Sequence, residues 1–149
     1  MKHLPVEILQ QFMKEVFIKL GVPETDAEIC SDVLITSDLK GIESHGIGRL
    51  KMYYDRIKAG IQNPVTQIEV IRDQYTTAVW DGNNGMGQVI SKKAMQTAID
   101  KAKKYGLGAV AVRNSTHFGI CGYYAEMAAK QNMIGLVFSN ARPSICPTN

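Results

Sequence analysis

The sequence predicts an α/β fold, in which a helical N-terminal segment (residues 1–62) is followed by the first part of an α/β domain (residues 63–149). Apolar residues in the N-terminal segment recur at spacings of three and four, which is the pattern of amphipathic helices. A turn signal follows at Asn63 and Pro64. Beyond it, short apolar runs alternate with helical stretches, and this alternation is typical of an α/β layer.

Three helices are expected in the N-terminal segment. The first carries an apolar stripe over residues 9–20 and ends at Gly21. The second opens at Pro23, and the acidic residues of its first turns suit the positive end of the helix dipole. The third is expected to run from Ser44, a good N-cap residue, to about Lys58.

The second part of the chain should alternate between strands and helices. Strands are predicted at 68–71, 76–80, 109–112 and 134–138, and helices at 88–105 and 122–131. The first two strands are expected to pair antiparallel. All four strands are short and rich in Val, Ile or Ala, which suggests a small sheet with helices packed against it.

Composition excludes several classes of protein. The chain is 45% hydrophobic and 21% charged, with a net charge of +3 that is spread along the sequence. It lacks an interleaved basic and aromatic patch, so we expect no nucleic-acid binding. No run approaches the 18 or so apolar residues of a membrane span, and the N-terminus lacks the apolar run of a signal peptide.

The three cysteines indicate a reducing compartment. Cys30, Cys121 and Cys146 are widely spaced, and no Cys-x-x-Cys pair occurs. An odd, sparse count of this kind favours reduced thiols over disulfides or a zinc site. We therefore expect a cytoplasmic protein without a metal centre.

Two of the three histidines have a glycine close by in the sequence, where a ligand can approach the backbone closely: His45 directly precedes Gly46, and His117 lies two residues before Gly119. If the third helix begins at Ser44, then His45, Arg49 and Tyr53 lie on one helical face. Arg can bind a carboxylate through two hydrogen bonds while His protonates a neighbouring oxygen. The alternative interpretation is that these side chains form an ordinary amphipathic surface.

His117 and a glycine-rich segment offer two further candidate sites. His117 follows the end of an apolar strand, where ligand-binding loops of α/β folds lie, but a loop histidine can also simply bond a backbone carbonyl. The segment 81–87, Asp-Gly-Asn-Asn-Gly-Met-Gly, lies between a strand and a helix, as phosphate loops do. It fits neither the Walker pattern nor Gly-x-Gly-x-x-Gly, so we interpret it mainly as a turn that leads into the helix.

Three ordered blocks resemble the malate/L-lactate dehydrogenase family. Residues 37–50, SDLKGIESHGIGRL, are similar to that family's signature (S/A)D-x-(R/K)G-x-(D/E/H)SHG-x-x-R. The segments 81–88 and 115–124 match a second block, and residues 133–147 match a third. Together the blocks cover nearly the whole chain, which is identified as the N-terminal portion of a member of this family.

The resemblance implies a fold and an activity. The expected fold is a helical N-terminal segment followed by part of a non-Rossmann α/β nucleotide-binding domain, which agrees with the missing Rossmann fingerprint. The expected reaction is reduction of a 2-oxo acid to a 2-hydroxy acid by NADH or NADPH, with a histidine donating or accepting the proton. The family also implies that the protein forms a homodimer and that it binds a small-molecule acid.

The resemblance also implies roles for particular residues. The two catalytic histidines of the family fall on His45 and His117, and we expect His45 to be the proton donor. Positions that line the family's substrate pocket and those that meet the nicotinamide side of its cofactor can also be carried over. These are Ser44, Arg49 and Tyr53 for the substrate, and Ser139, Asn140 and Ala141 for the cofactor.

A second hypothesis concerns the isolated chain. The last residues follow a predicted strand and reach no further element, so we expect the chain to be truncated. A catalytically inactive fragment with an open strand edge could act only as a self-associating or partner-binding module.

Overall fold

The computed structural model describes residues 4–140. Within this range the chain forms five α-helices and three strands, together with two short 3-10 turns at Glu43–His45 and Ile47–Arg49. The helices and strands are α1 (Val6–Lys19), α2 (Glu24–Leu39), α3 (Leu50–Lys58), β1 (Glu69–Asp73), β2 (Thr77–Asp81), α4 (Gly87–Tyr105), β3 (Ala109–Arg113) and α5 (Cys121–Ala129). The predicted α/β class is confirmed.

The N-terminal helices bury the apolar stripe that the sequence predicts. Met13 and Phe17 of α1 are fully buried, and they pack with Cys30 and Leu34 of α2 in one core cluster. Each large apolar side chain buried in this way contributes about 1.5–3 kcal/mol relative to its exposed state. The same cluster includes Met86, so the core continues from the helices into the α/β part of the chain.

The sheet has the strand order β1-β2-β3. Strands β1 and β2 pair antiparallel, as predicted, while β2 and β3 pair parallel. Helix α4 makes the connection that a parallel pair requires. A second cluster of Ala78, Trp80 and Ala94 fixes α4 to this sheet.

The predicted start of the third helix is wrong. The segment after Ile42 forms the two 3-10 turns, and α3 begins only at Leu50. The cause is a tertiary contact, because the carboxylate of Asp38 accepts a hydrogen bond from the backbone N–H of Ile47 at 2.8 Å. This contact holds Gly46 in an extended conformation, with φ −88° and ψ −146°, which interrupts the helix. Ser44 is therefore not an N-cap.

The predicted strand at 134–138 is also wrong. These residues belong to no strand or helix. A Cβ added to Gly135 would lie 2.4 Å from the carbonyl oxygen of Ala125, so the segment passes directly over the backbone of α5. The apolar run indicated a strand, but a strand also needs a hydrogen-bonded neighbour.

Across residues 4–140, no helix combines the length and apolar character that crossing a membrane requires.

Candidate active site

The fold brings the two candidate histidines together. His45 ends the first 3-10 turn, and His117 lies in the loop after β3. Their ring centroids are 5.5 Å apart with an interplanar angle of 22°, so the imidazoles stack. Both side chains are half-buried. One histidine from the helical segment and one from the α/β part therefore share a single site.

The turn that carries His45 is held in place by Asp38. A Cβ on Gly46 would lie 1.7 Å from Oδ1 of Asp38, so only glycine leaves room for this carboxylate. The carboxylate in turn accepts the N–H of Ile47. Ser44 Oγ lies 2.9 Å from Nδ1 of His45, which restrains the imidazole.

Arg49 lies beside this turn rather than one helical turn along from His45. Its Nε donates to the carbonyl oxygen of Ser44 at 2.5 Å, so the guanidinium folds back toward the histidine. The charge of Arg49 also lowers the pKa of His117, as expected of a cation that lies near that ring. The predicted common helical face is wrong, because His45 and Arg49 belong to separate 3-10 turns and Tyr53 belongs to α3. The three residues nevertheless meet around His117.

The loop that carries His117 rests on the first turn of α4. The hydroxyl of Thr116 accepts the backbone N–H of Gly87 at 3.0 Å and donates to the carbonyl oxygen of Gly85 at 2.7 Å. A Cβ on Gly87 would lie 2.4 Å from the carbonyl oxygens of Thr116 and His117. Close backbone approach and a hydroxyl bridge thus set the position of His117 relative to α4.

Tyr53 contacts His117 from the buried side of the site. Its side chain is fully buried, and its ring packs edge-on against both Phe17 and His117. The phenol oxygen lies 2.6 Å from Nδ1 of His117. The backbone N–H of Gly119 also donates to this Nδ1, at 3.3 Å. The ring nitrogen left for a ligand is therefore Nε2.

The surroundings of His117 disfavour its charged form. Burial, followed by the charges of His45, Arg49 and Arg56, lowers the pKa of His117 from its ordinary 6.5 to about 4. The imidazole is therefore neutral at neutral pH. Burial also raises the pKa of the Tyr53 phenol well above its usual range, so this hydroxyl keeps its proton.

The glycine-rich segment is a structural turn. Each backbone N–H from Gly82 to Gly87 donates to a protein acceptor. In chain order, these acceptors are the carbonyl oxygen of Arg113, Oδ1 of Asp81, the carbonyl oxygens of Asn114 and Gly82, and the hydroxyls of Thr66 and Thr116. The carboxylate of Asp81 is buried and also accepts from Arg113 and Asn114. Within this turn, no backbone N–H is left free for a phosphate, which supports the interpretation as a turn.

The candidate cofactor residues lie at the end of the described range. Ser139 and Asn140 are exposed, and the Ser139 hydroxyl donates to the carbonyl oxygen of Asn140 at 3.3 Å. Ala141 lies outside the described residues. Among residues 4–140, no three His, Cys, Asp or Glu side chains come together as a metal site would need.

Two residues that shape the site were not singled out from the sequence. Asp38 holds the His45 turn, and Thr116 holds the His117 loop. Both lie inside the family-like blocks, so their position offered a signal, but their roles depend on contacts with residues 9 and 29 positions away in the chain. Spacing along one helix or strand does not reveal such contacts.

Comparison with known proteins identifies the family. The profile of the family described as malate/L-lactate dehydrogenase matches residues 4–149. The chain is 52% identical over 146 residues to a malate dehydrogenase from Pyrococcus abyssi and 50% identical over 146 residues to an L-sulfolactate dehydrogenase from Methanocaldococcus jannaschii. The chain belongs to the malate/L-lactate dehydrogenase family, which confirms the resemblance seen in the sequence.

Solved structures agree with this assignment. The chain resembles the malate dehydrogenase of Pyrococcus horikoshii OT3 with a TM-score of 0.85 and 48% identity, over 87% of this chain and 37% of that chain. The sulfolactate dehydrogenase from Methanocaldococcus jannaschii gives a TM-score of 0.85 at 49% identity, over 87% and 38%. Each of the two sequence alignments covers 98% of this chain but 40% of the relative, so the chain spans about two-fifths of their length.

Removal of the Thr116 hydroxyl should loosen the His117 loop. In Thr116→Val, the N–H of Gly87 loses its acceptor at the start of α4, and we expect a loss of about 0.5–2 kcal/mol in the free energy of unfolding, as for a lost helix cap. The NMR signals of the His117 ring should shift or broaden. Ser115→Ala is the matched control, because among the described residues this exposed hydroxyl has one long contact, 3.4 Å to the carbonyl oxygen of Thr116, and the change should stay within about 0.5 kcal/mol. Equal effects of the two substitutions would contradict the bridging role.

The lowered pKa of His117 should make the chain less stable in mild acid. Between pH 6.5 and about 4 the unfolded chain binds a proton at this residue that the folded chain does not, so the free energy of unfolding falls as the pH falls through this window. Urea unfolding at pH 7 and pH 5 should show this loss, and His117→Asn should reduce it. In an NMR titration, the His117 ring should titrate near pH 4, and a midpoint near 6.5 would contradict the assignment.

Proposed function

We propose that the chain carries the acid–base site of an NAD(P)H-dependent oxidoreductase that reduces a 2-oxo acid to a 2-hydroxy acid. The observation that carries this proposal is the stacked pair of His45 and His117 beside Arg49, in a chain of the malate/L-lactate dehydrogenase family. Relatives named malate, L-sulfolactate and L-lactate dehydrogenase all bear the names of 2-hydroxy acids.

Arg49 is proposed to bind the carboxylate of the substrate. Its Nε is held by the carbonyl oxygen of Ser44, and this leaves the two terminal nitrogens of the guanidinium for a carboxylate. Charge-assisted hydrogen bonds of this type are stronger than neutral ones and fix the orientation of the acid. Ser44 is exposed beside it and can contribute a hydroxyl to the same pocket.

His45 is proposed to donate the proton to the carbonyl oxygen. The neutral state of His117 at neutral pH supports this assignment, because a neutral imidazole is a poor proton donor. Ser44 Oγ restrains the His45 ring at Nδ1, so Nε2 is the nitrogen available to the substrate. His117 stacks on the same ring and lies within reach of the same bound molecule.

The cofactor is proposed to be NAD or NADP. Ser139 and Asn140 carry a hydroxyl and an amide, which suit the hydrogen-bonding groups of the nicotinamide carboxamide, and Ala141 follows them in the chain. A bound nicotinamide would supply the hydride. The turn at 81–87 does not suit the pyrophosphate, since its N–H groups are already used. We therefore propose that the pyrophosphate of the cofactor binds outside this turn.

The remaining features of the proposal concern organisation. The helical segment 1–62 would supply His45, and the first part of the cofactor-binding domain, 63–149, would supply His117. The active protein is proposed to be a homodimer in the cytoplasm, with a small 2-oxo or 2-hydroxy acid as its ligand.

Turnover should depend on His45 and Arg49 in different ways. We expect the chain extended to the length of its relatives to oxidise NADH or NADPH with at least one 2-oxo acid, among them pyruvate and oxaloacetate. His45→Asn should lower kcat by about 10²–10⁴-fold, the usual effect of losing a general acid. Arg49→Lys should mainly raise KM, by about tenfold or more, because the two-point contact with the carboxylate is lost.

Lys51→Gln is the matched control for these variants. Lys51 is exposed, and within residues 4–140 its ion pair is with Asp55 on the surface of α3, so activity should not change. Near-normal turnover of His45→Asn would contradict its role as proton donor. Absence of turnover with every acid, for the 149-residue chain and the extended chain alike, would contradict the dehydrogenase proposal.

A second candidate function is self-association of the isolated chain. Ile134, Leu136 and Phe138 are 91%, 68% and 84% exposed, and β3 is an edge strand among the described residues. Exposed apolar runs and open edges favour pairing with another chain. Size-exclusion chromatography should then show association of the 149-residue chain that Leu136→Lys weakens. A monomer at all concentrations would contradict this candidate.

A further inference from the structure

The hydroxyl of Tyr53 contacts one particular ring nitrogen of His117. The phenol oxygen of Tyr53 lies 2.6 Å from Nδ1 of His117, and the Tyr53 side chain is fully buried against Phe17. The hydroxyl keeps its proton, because burial strongly disfavours the phenolate. At neutral pH, Tyr53 therefore has a proton to donate.

The direction of this hydrogen bond follows from a second contact. The backbone N–H of Gly119 approaches the same Nδ1 at 3.3 Å, and an N–H group can only donate. Nδ1 is therefore an acceptor and carries no proton. A neutral imidazole has one N–H, so in His117 this N–H must lie on Nε2.

We propose that Tyr53 is a positioning residue, which holds His117 as its Nε2–H tautomer so that His117 offers a hydrogen-bond donor to the carbonyl oxygen of a bound 2-oxo acid. This inference rests on the proposed function, and it differs from the substrate-contact role expected for Tyr53 from the sequence. In this arrangement His117 keeps its proton throughout the reaction. It stabilises negative charge that develops on the oxygen, while His45 transfers its own proton to that oxygen.

The two histidines thereby acquire different tasks. A neutral imidazole held by two donors is suited to polarise a carbonyl group, since it neither releases nor accepts a proton near neutral pH. The opposite tautomer would present a lone pair to the carbonyl oxygen and repel it. Of the two contacts that hold this tautomer, the one from the Tyr53 hydroxyl is the stronger, because the contact from Gly119 is longer by 0.7 Å.

The tautomer can be tested directly by NMR of the imidazole nitrogens. In the wild-type protein at neutral pH, a long-range ¹H–¹⁵N spectrum should show Nδ1 of His117 as an unprotonated nitrogen and Nε2 as a protonated one. In Tyr53→Phe, which keeps the ring against Phe17 and removes only the hydroxyl, the two nitrogen signals should move toward each other as both tautomers become populated. Tyr54→Phe is the matched control, since Tyr54 is 44% exposed on the same helix.

Two spectroscopic results would overturn the proposal. One is a wild-type His117 with its proton on Nδ1, and the other is a Tyr53→Phe variant whose His117 nitrogen signals match those of the wild type. Thermal unfolding should first show that each variant is folded, because only the nitrogen signals of folded proteins can be compared. Tyr53→Leu, which also removes the ring, is not a substitute, since it opens a cavity beside Phe17.

A kinetic measurement tests the consequence for catalysis. In the protein extended to the length of its relatives, Tyr53→Phe should lower kcat by about 10- to 100-fold, the range observed when metal-bound histidines lose an outer-shell partner, with little change in KM. Unchanged kcat would refute the positioning role. If the wild-type protein reduced no 2-oxo acid, the proposed function would fail, while the nitrogen spectra would still decide whether Tyr53 sets the tautomer.

Discussion

The hydrogen bond from the Tyr53 hydroxyl to Nδ1 of His117 is the contact on which the candidate site depends. It joins α3, in the helical segment, to the loop after β3, in the α/β part, across 64 positions of the chain. Tyr53 is itself fixed by the core, because its ring is fully buried against Phe17 of α1. The packing of the N-terminal helices thus helps to fix the position of His117, which lies outside these helices.

Two glycines make the geometry of this site possible. Gly46 leaves room for the Asp38 carboxylate beside His45, and Gly87 leaves room for the backbone carbonyl oxygen of His117 beside α4. At both positions a Cβ would lie within 2.4 Å of a protein oxygen, which no real contact allows. Neither glycine has a positive φ, so close approach and not backbone freedom explains the need for glycine.

The helices and the small sheet could be predicted because their apolar periodicity is local. The start of α3 could not, since Ser44 has the features of an N-cap and the true boundary depends on the reach of Asp38 to Ile47. The segment 134–138 has the composition of a strand, yet composition does not supply a hydrogen-bonded neighbour. Periodicity describes one element at a time, while these boundaries depend on contacts between elements.

The candidate site shows the same division. His45, His117 and Arg49 could be singled out from residue type and from the family-like blocks, and the structure brings them together. The prediction that His45 and Arg49 share one helical face was wrong, because they lie on two separate 3-10 turns and meet His117, which comes from a distant loop. The contact of Tyr53 with Nδ1 of His117 had no signal in the sequence, as spacing does not show which atom a buried hydroxyl reaches.

The electrostatics of the site support the proposal that the substrate is an acid. His117 is kept neutral by burial and by the neighbouring charges of His45, Arg49 and Arg56. A bound carboxylate would offset part of that positive charge. A neutral ketone could occupy the same space but would leave the cationic groups unpaired. In the proposed reaction, the carboxylate of a 2-oxo acid therefore does more than orient the substrate, because its charge also offsets the positive charges that act on His117.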